Sequence, residues 1–201
     1  MRLQPVNQRI RIRIVQAGGI VLGAMLLLTH PAVVGDAHEA IELAGFGLVL
    51  ACVAGRMWSI LYVGSRKNRE LTTTGPYSIT RNPLYFFSTL GAVGIGLIHG
   101  SLILALALGA FAYLVLVATA EREAEHLKTL FGPGYDSYAR ETPLFWPRPS
   151  QYRDDAEVAF SPSALRRTFL DGLFFLAVFP IIEAIERLQV EGILPVLVRV
   201  F

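Results

Sequence analysis

Between Arg81 and Glu121 lie 39 residues, 82 to 120, without one Asp, Glu, Lys or Arg. Drawn out as a single α-helix at 1.5 Å per residue, they would measure about 60 Å, twice the ~30 Å of hydrocarbon in a bilayer. His99-Gly100-Ser101 stands near the midpoint. The stretch therefore reads as a helical hairpin that turns there, with spans over 83–98 and 102–120. Composition agrees: 53% of the 201 residues are hydrophobic and 17% are charged, against a usual ~25% charged. A soluble domain of this length cannot hide so much apolar surface.

Other charge gaps place the remaining spans. Residues 14–35 carry no charge, with 14–28 strongly apolar, and 43–63 carry Arg56 alone. The tail is shorter and mixed: 168–182 contains Asp171, and Glu183 and Glu186 precede the apolar run 193–198. It reads as a fifth, short span or as an interfacial helix, anchored either way by Arg166-Arg167. Residues 151–163, with Asp154, Asp155, Glu157 and Pro162, read as an exposed linker. The expected fold is all-α, an integral membrane bundle of four to five transmembrane helices. The hairpin (about 83–120) leads into a cytoplasmic amphipathic helix; 1–148 form the membrane domain and 149–201 a linker plus C-terminal helix.

Lys and Arg near span ends set orientation. Arg2, Arg9, Arg11 and Arg13 precede the first span, Arg66, Lys67 and Arg69 follow the second, and Arg122, Lys128, Arg140 and Arg148 follow the hairpin. The loop 30–42 has Asp36, Glu39 and Glu42 and no Lys or Arg. Every basic cluster thus falls on one side, expected to be the cytoplasmic face of the cell inner membrane, with the N-terminus there too. Polar chemistry belongs in 64–82 and 121–150. The basic start has no small-residue cleavage site after it and reads as a retained helix.

Several classes find little support. Net charge is +2 and scattered, so a nucleic-acid partner is not expected. The single Cys52 forms no disulfide framework. The histidines at 30, 38, 99 and 126 show no close ligand spacing, and no metal site is expected. Gly91-Ala92-Val93-Gly94-Ile95-Gly96 lies inside a span with no strand before it, so it fails the context of a nucleotide loop. Gly19-x3-Gly23 and Gly96-x3-Gly100 are spacings that permit close helix packing.

Three groups of residues could carry chemistry. In Arg81-Asn82-Pro83-Leu84-Tyr85, Asn82 suits the cap and Pro83 the first position of a helix. The pair either only starts the span, with Arg81 as headgroup anchor, or forms an anion site at the membrane surface. After the hairpin, Ala120, Ala124, Leu127, Leu130 and Phe131 share one helical arc at about 100° per residue. Glu123 falls inside that arc, whereas Glu121, Glu125 and Lys128 lie off it. A carboxylate on an apolar face is costly unless paired; Glu123 either turns out to solvent or meets a ligand or an arginine. Arg56 either snorkels to the interface or marks a site within the membrane. Trp58 and Tyr62 suit the interfacial aromatic belt.

Taken together, Gly75-Pro76-Tyr77, Arg81-Asn82-Pro83-Leu84-Tyr85, Glu123, Leu127, Phe131-Gly132, Tyr135, Tyr138 and Pro143 through Pro147 resemble the isoprenylcysteine carboxyl methyltransferase family and its phospholipid methyltransferase relatives. Arg56-Met57-Trp58 resembles an Arg-x-Trp common upstream in bacterial-type members. The match spans roughly 45–148. It departs at Asn82, often His in the family, and at Ala124, where a second Glu is usual and Glu125 stands one place on. The resemblance implies methyl transfer from S-adenosyl-L-methionine to a lipophilic small-molecule or lipidated acceptor, in particular a carboxylate, drawn from the lipid bilayer. It implies that Asn82 and the helix start at Pro83 hold the cofactor's methionine end. Glu123 binds its amino or hydroxyl groups, with Glu125 as substitute for the missing Glu. Tyr77 and Tyr85 shape the pocket, and Arg81 or Arg56 orients an anionic acceptor. Its rivals are a phospholipid N- or small-thiol S-methyltransferase, a sterol-type NADPH reductase, and a non-catalytic lipid-binding or scaffold protein. The tail 150–201 crosses the membrane, covers the site or makes a homodimer contact.

Overall fold

The computed structural model describes residues 8–31, 35–65 and 69–200; Arg2, Arg66 and Lys67 lie outside them. The chain runs α1 (Gln8–Leu28), β1 (Thr29–Pro31), α2 (Asp36–Val63), α3 (Pro76–Ile79), α4 (Pro83–Ile98), α5 (Leu102–Phe131), α6 (Pro133–Glu141), α7 (Pro162–Val190) and β2 (Val198–Val200). Helices α2, α5 and α7 are long and apolar enough to cross a membrane, and α4 is a shorter apolar helix. Leu43, Leu106, Leu114 and Phe174 are exposed on them, as side chains facing lipid must be. The fold is an all-α membrane bundle.

The hairpin turns where the charge gap places it. His99 ends α4, Gly100 takes φ +70°, and the Ser101 hydroxyl accepts the Leu104 N–H at 3.1 Å to start α5. The most extensive contact is between α2 and α4, where glycines let backbones meet. A Cβ on Gly94 would lie 2.7 Å from the Gly45 carbonyl oxygen, and one on Gly91 2.6 Å from Cys52 Sγ. The glycine run 91–96 is thus a packing stripe, and Gly96 seats against the Ala105 backbone of α5. Gly19 and Gly23 behave otherwise: nothing lies within 4 Å of a Cβ on either, so the spacing on α1 joins no helix among the described residues. Beneath the stripe, Val49, Ile98 and Ile182 form a buried cluster against Phe175 and Phe179 of α7.

The first helix ends at Leu28, where the strongly apolar portion 14–28 ends, and residues 29–31 form β1, which pairs in parallel with β2. The amphipathic segment after the hairpin is helical, as expected, and is the unbroken continuation of α5 to Phe131. One expectation needs correction: the last helix is not short and confined to 168–182. It is the 29-residue α7, which carries Glu183 and Glu186 on its final turns and pairs Glu183 with Arg187 at 2.6 Å. The segment 151–163 is mostly exposed, as the linker reading expects, yet it is tied down. After a 3₁₀ turn at Pro149–Gln151, it lies as a strap along the Gly75 turn and the end of α2.

The strap is held by specific bonds. Gly75 N–H donates to the Arg153 carbonyl at 2.7 Å, and Arg153 N–H to Ser78 Oγ at 3.0 Å. The hydroxyls of Tyr62 and Tyr152 each donate to one Asp154 oxygen at 2.6 Å, and Thr74 donates to Asp155. Gly75 has φ +57°, and a Cβ there would lie 2.2 Å from the Tyr62 ring, so conformation and space both demand glycine. The phenol hydrogen bonds from Tyr152 and Tyr62 hold the Asp154 carboxyl below its ordinary value of 3.8. A depressed carboxyl contributes above its unfolded-state pKa and loses that contribution as pH falls through the folded value.

Limited proteolysis within 152–160 should therefore accelerate as pH drops below about 4 and be fast at neutral pH in Asp154→Asn. In Gly94→Val the α2–α4 contact must open, lowering stability in detergent by about 1–3 kcal/mol. Gly19→Ala should leave stability unchanged or raised by up to about 1 kcal/mol. Thermal unfolding measures both.

Candidate functional site

The motif residues converge because one segment of chain is laid along another. Arg81 N–H donates to the Pro143 carbonyl and Arg148 N–H to the Ile79 carbonyl, both at 2.9 Å. Between them Thr80 Oγ1 donates to the Phe145 carbonyl and Asn82 Nδ2 to the Leu144 carbonyl, also at 2.9 Å. The proline-rich end 143–148 thus clamps 79–82, and the Tyr138 hydroxyl reaches the Tyr77 carbonyl at 2.6 Å. Asn82 stands at the cap position of α4, as expected, but its side chain makes no capping bond; its amide is taken by Leu144. Pro83 is the first residue of α4 and is fully buried.

These elements enclose a cavity of about 200 Å³ between the ends of α2 and α5, the starts of α3 and α4, and α6. Tyr77, Arg81, Asn82, Tyr85, Glu123 and Tyr135 supply its chemistry. The Tyr85 hydroxyl donates to Glu123 Oε2 at 2.9 Å, fixing the carboxylate toward the cavity. Arg81 Nη1 donates to the Tyr135 hydroxyl at 3.1 Å, with the guanidinium 5.9 Å from the centre of that ring. Two polar atoms of lining residues are buried and have no hydrogen-bond partner among the described residues: Arg81 Nε and Thr72 Oγ1. Buried polar groups are almost always satisfied, so the pair marks where a polar ligand belongs. Burial pushes the Tyr77 and Tyr138 phenols up, although the Arg81 charge opposes the shift at Tyr138. Both keep their protons at neutral pH, and Tyr138 donates its own to the Tyr77 carbonyl.

The structure brings Arg81, Asn82, Tyr77, Tyr85 and Glu123 into one lining. Ala120, Ala124, Leu127 and Phe131 join them from the α5 arc, whereas Leu130 is exposed. Glu125 is exposed and takes no part in the lining. Arg56 does not line the cavity either. Sequence reasoning missed Thr72. Its neighbours Leu71, Thr73 and Thr74 are uncharged and give no periodic signal; placing polar chemistry in 64–82 was as near as the chain allowed. Glu70 also lines the cavity and was not singled out.

The chain has relatives among known proteins. The chain is similar to the nickel-cobalt-cadmium resistance protein NccN of Alcaligenes xylosoxydans xylosoxydans, 37% identical over 152 residues, 76% of this chain and 70% of that one. It is also similar to the cobalt-zinc-cadmium resistance protein CzcN of Cupriavidus metallidurans, 36% identical over 154 residues, 77% of this chain and 70% of that one. No solved structure is significantly similar. Residues 19–134, which include the hairpin, the Tyr85–Glu123 pair and the clamped 79–82 segment, match the phospholipid methyltransferase family, and the chain belongs to that family.

Proposed function

We propose that the chain transfers a methyl group from S-adenosylmethionine to a lipophilic acceptor, in particular a carboxylate, at the cytoplasmic face of the cell inner membrane. One observation carries the reading. A cavity beside a membrane-spanning helix combines the oriented Glu123 carboxylate with two unpartnered buried groups, Arg81 Nε and Thr72 Oγ1. Family membership favours methyl transfer over a reductase or a scaffold. The metal-resistance names belong to the two relatives and specify no acceptor.

The residues present fit the cofactor. An amino-acid-ended cofactor offers a carboxylate, an ammonium and ribose hydroxyls. Glu123, steadied by Tyr85, suits the ammonium or the hydroxyls through charge-assisted bonds. Asn82, its Nδ2 committed to Leu144, presents its amide oxygen, and with Thr72 and the start of α4 it holds the methionine end. When bound, S-adenosylmethionine supplies an electrophilic methyl on a sulfonium. The chain's part is alignment and exclusion of water: Tyr77, Leu127 and Phe131 wall the cavity, and Arg81 orients the acceptor's anionic group. A carboxylate is its own nucleophile, so no side chain has to accept a proton. Apolar spans let the acceptor's tail enter from the bilayer while the cofactor comes from water.

Calorimetry on the purified protein should show saturable S-adenosylmethionine binding. Glu123→Gln should weaken it about 10- to 100-fold, the loss of a bond to a charged group, and Tyr85→Phe a few-fold. Mass spectrometry of membrane lipids and small molecules after incubation with isotopically labelled S-adenosylmethionine should reveal a labelled methyl ester. Absence of binding, or a Glu123→Gln protein that binds and labels as the parent does, overturns the reading. A labelled amine or thioether moves the acceptor to the phospholipid or thiol class.

A further inference from the structure

Seven residues before the Val63 end of α2, Arg56 carries a guanidinium that the cavity does not use. Its Nη1 donates to Ser88 Oγ at 2.6 Å, and its Cζ lies 5.7 Å from the centre of the Phe175 ring. Ser88 spends its own proton on the Leu84 carbonyl at 2.7 Å, so its oxygen is a pure acceptor for the arginine. Arg56 Nε is buried without a partner. Among the described residues no carboxylate pairs with this charge.

The bond to Ser88 turns Arg56 away from snorkelling. Arg56 sits about 10 Å below the end of α2, and Ser88, five residues after Pro83, about 8 Å below the start of α4. The side chain therefore runs sideways across the α2–α4 seam at its own level instead of rising to the surface. At 28 residues, α2 exceeds the hydrocarbon thickness by about 12 Å, which leaves the charge within several ångströms of the hydrocarbon edge. Its surroundings are apolar: Phe175 of α7 lies by the guanidinium, and the Phe87 ring packs against Gly55, the residue before Arg56 on α2. A cation in such surroundings with a hydroxyl as its hydrogen-bond partner is costly unless a counter-charge arrives. The described residues supply none, and Arg56 is half-buried rather than sealed, so a ligand can reach it.

We propose that the Arg56–Ser88 seam binds the anionic head of an amphiphile, a carboxylate or phosphate ester, whose hydrocarbon tail lies against α2 and α7. The site is distinct from the Glu123 cavity but adjoins it. Ile60 and Leu84 of the cavity wall stand one helical turn above Arg56 and Ser88. A bound amphiphile thus lies directly beneath the cavity, and its binding does not depend on methyl transfer.

The two tryptophans, Trp58 and Trp146, make the test direct. In a Trp146→Phe background, solubilised in neutral maltoside, Trp58 fluorescence is titrated with dibromostearate, dibromostearyl alcohol, brominated phosphatidylglycerol and inorganic phosphate. The proposal expects saturable quenching by at least one brominated anion, with the alcohol at least about tenfold weaker. Arg56→Gln should weaken the anion about tenfold or more, and Arg56→Lys should retain most of the binding. Should Arg56→Gln fail to fold, Ser88→Ala replaces it, with a weakening of a few-fold expected. Tighter binding of stearate identifies a free carboxylate as the source, and tighter binding of phosphatidylglycerol a lipid headgroup; both support the site. Equal quenching by acid and alcohol, unchanged affinity in both variants, or displacement of the amphiphile by phosphate alone at equal concentration overturns it. The titration uses no S-adenosylmethionine, so failure of the methyltransferase reading leaves its outcome intact.

Discussion

Four hydrogen bonds between residues 143–148 and 79–82 join the two halves of the functional end. Without them the start of α4 would be a bare helix end at a membrane surface, with Arg81 and Asn82 free to turn into water. The clamp takes up the Arg81 amide and the Asn82 side-chain amide, and it brings α6 close enough for Tyr135 to meet the guanidinium. Prolines suit this segment: 143, 147 and 149 hold it extended and out of a helix, which leaves its carbonyls open to the donors of 79–82. The strap at 152–155 adds a second layer, gripping the Gly75 turn from behind through Tyr62 and Asp154.

What the sequence made legible was whatever depends on local pattern and charge economy. A 39-residue gap with Gly100 at its centre has one sensible reading in a bilayer, and the hairpin follows it. Glu123 stood out because it interrupts an apolar arc, and the cavity lines up along that arc. What stayed hidden depends on partners far along the chain. Tyr62 and Asp154 are 92 residues apart, Thr74 and Asp155 81; a polar, charged stretch that finds such partners looks, residue by residue, like a linker that finds none. The length of α7 was masked for a related reason. Glu183 and Glu186 break the apolar run, yet they fall on its final turns, where α7 reaches the β1–β2 end and a charge can meet water or its i+4 arginine.

The glycines show the same split. Gly91 and Gly94 match a nucleotide-loop fragment by spacing, and context alone argued against it; the structure gives the spacing a physical purpose, backbone contact with α2. Gly19 and Gly23 have the equally suggestive spacing and no neighbour. Small residues three apart permit close approach, and a complementary groove on another helix has to complete it. On α4 the partner is supplied by Gly45 and Cys52 of α2, and this contact fixes the height of α4 against α2.

That height governs the chemistry on both sides of the seam. Because α2 and α4 meet backbone to backbone, Arg56 and Ser88 face each other at one level, and Ile60 and Leu84 face the cavity one turn above. Two polar devices therefore share a wall only a helical turn thick: a carboxylate and a guanidinium open to water, and a second guanidinium open to lipid. Neither charge is paired with the other, since Glu123 accepts from the Tyr85 hydroxyl while Arg56 donates to Ser88. Each site is left to draw its missing partner from its own solvent. On the proposed reading, in which a water-soluble ligand is brought to a greasy one, the separation is useful: it keeps the two approaches apart.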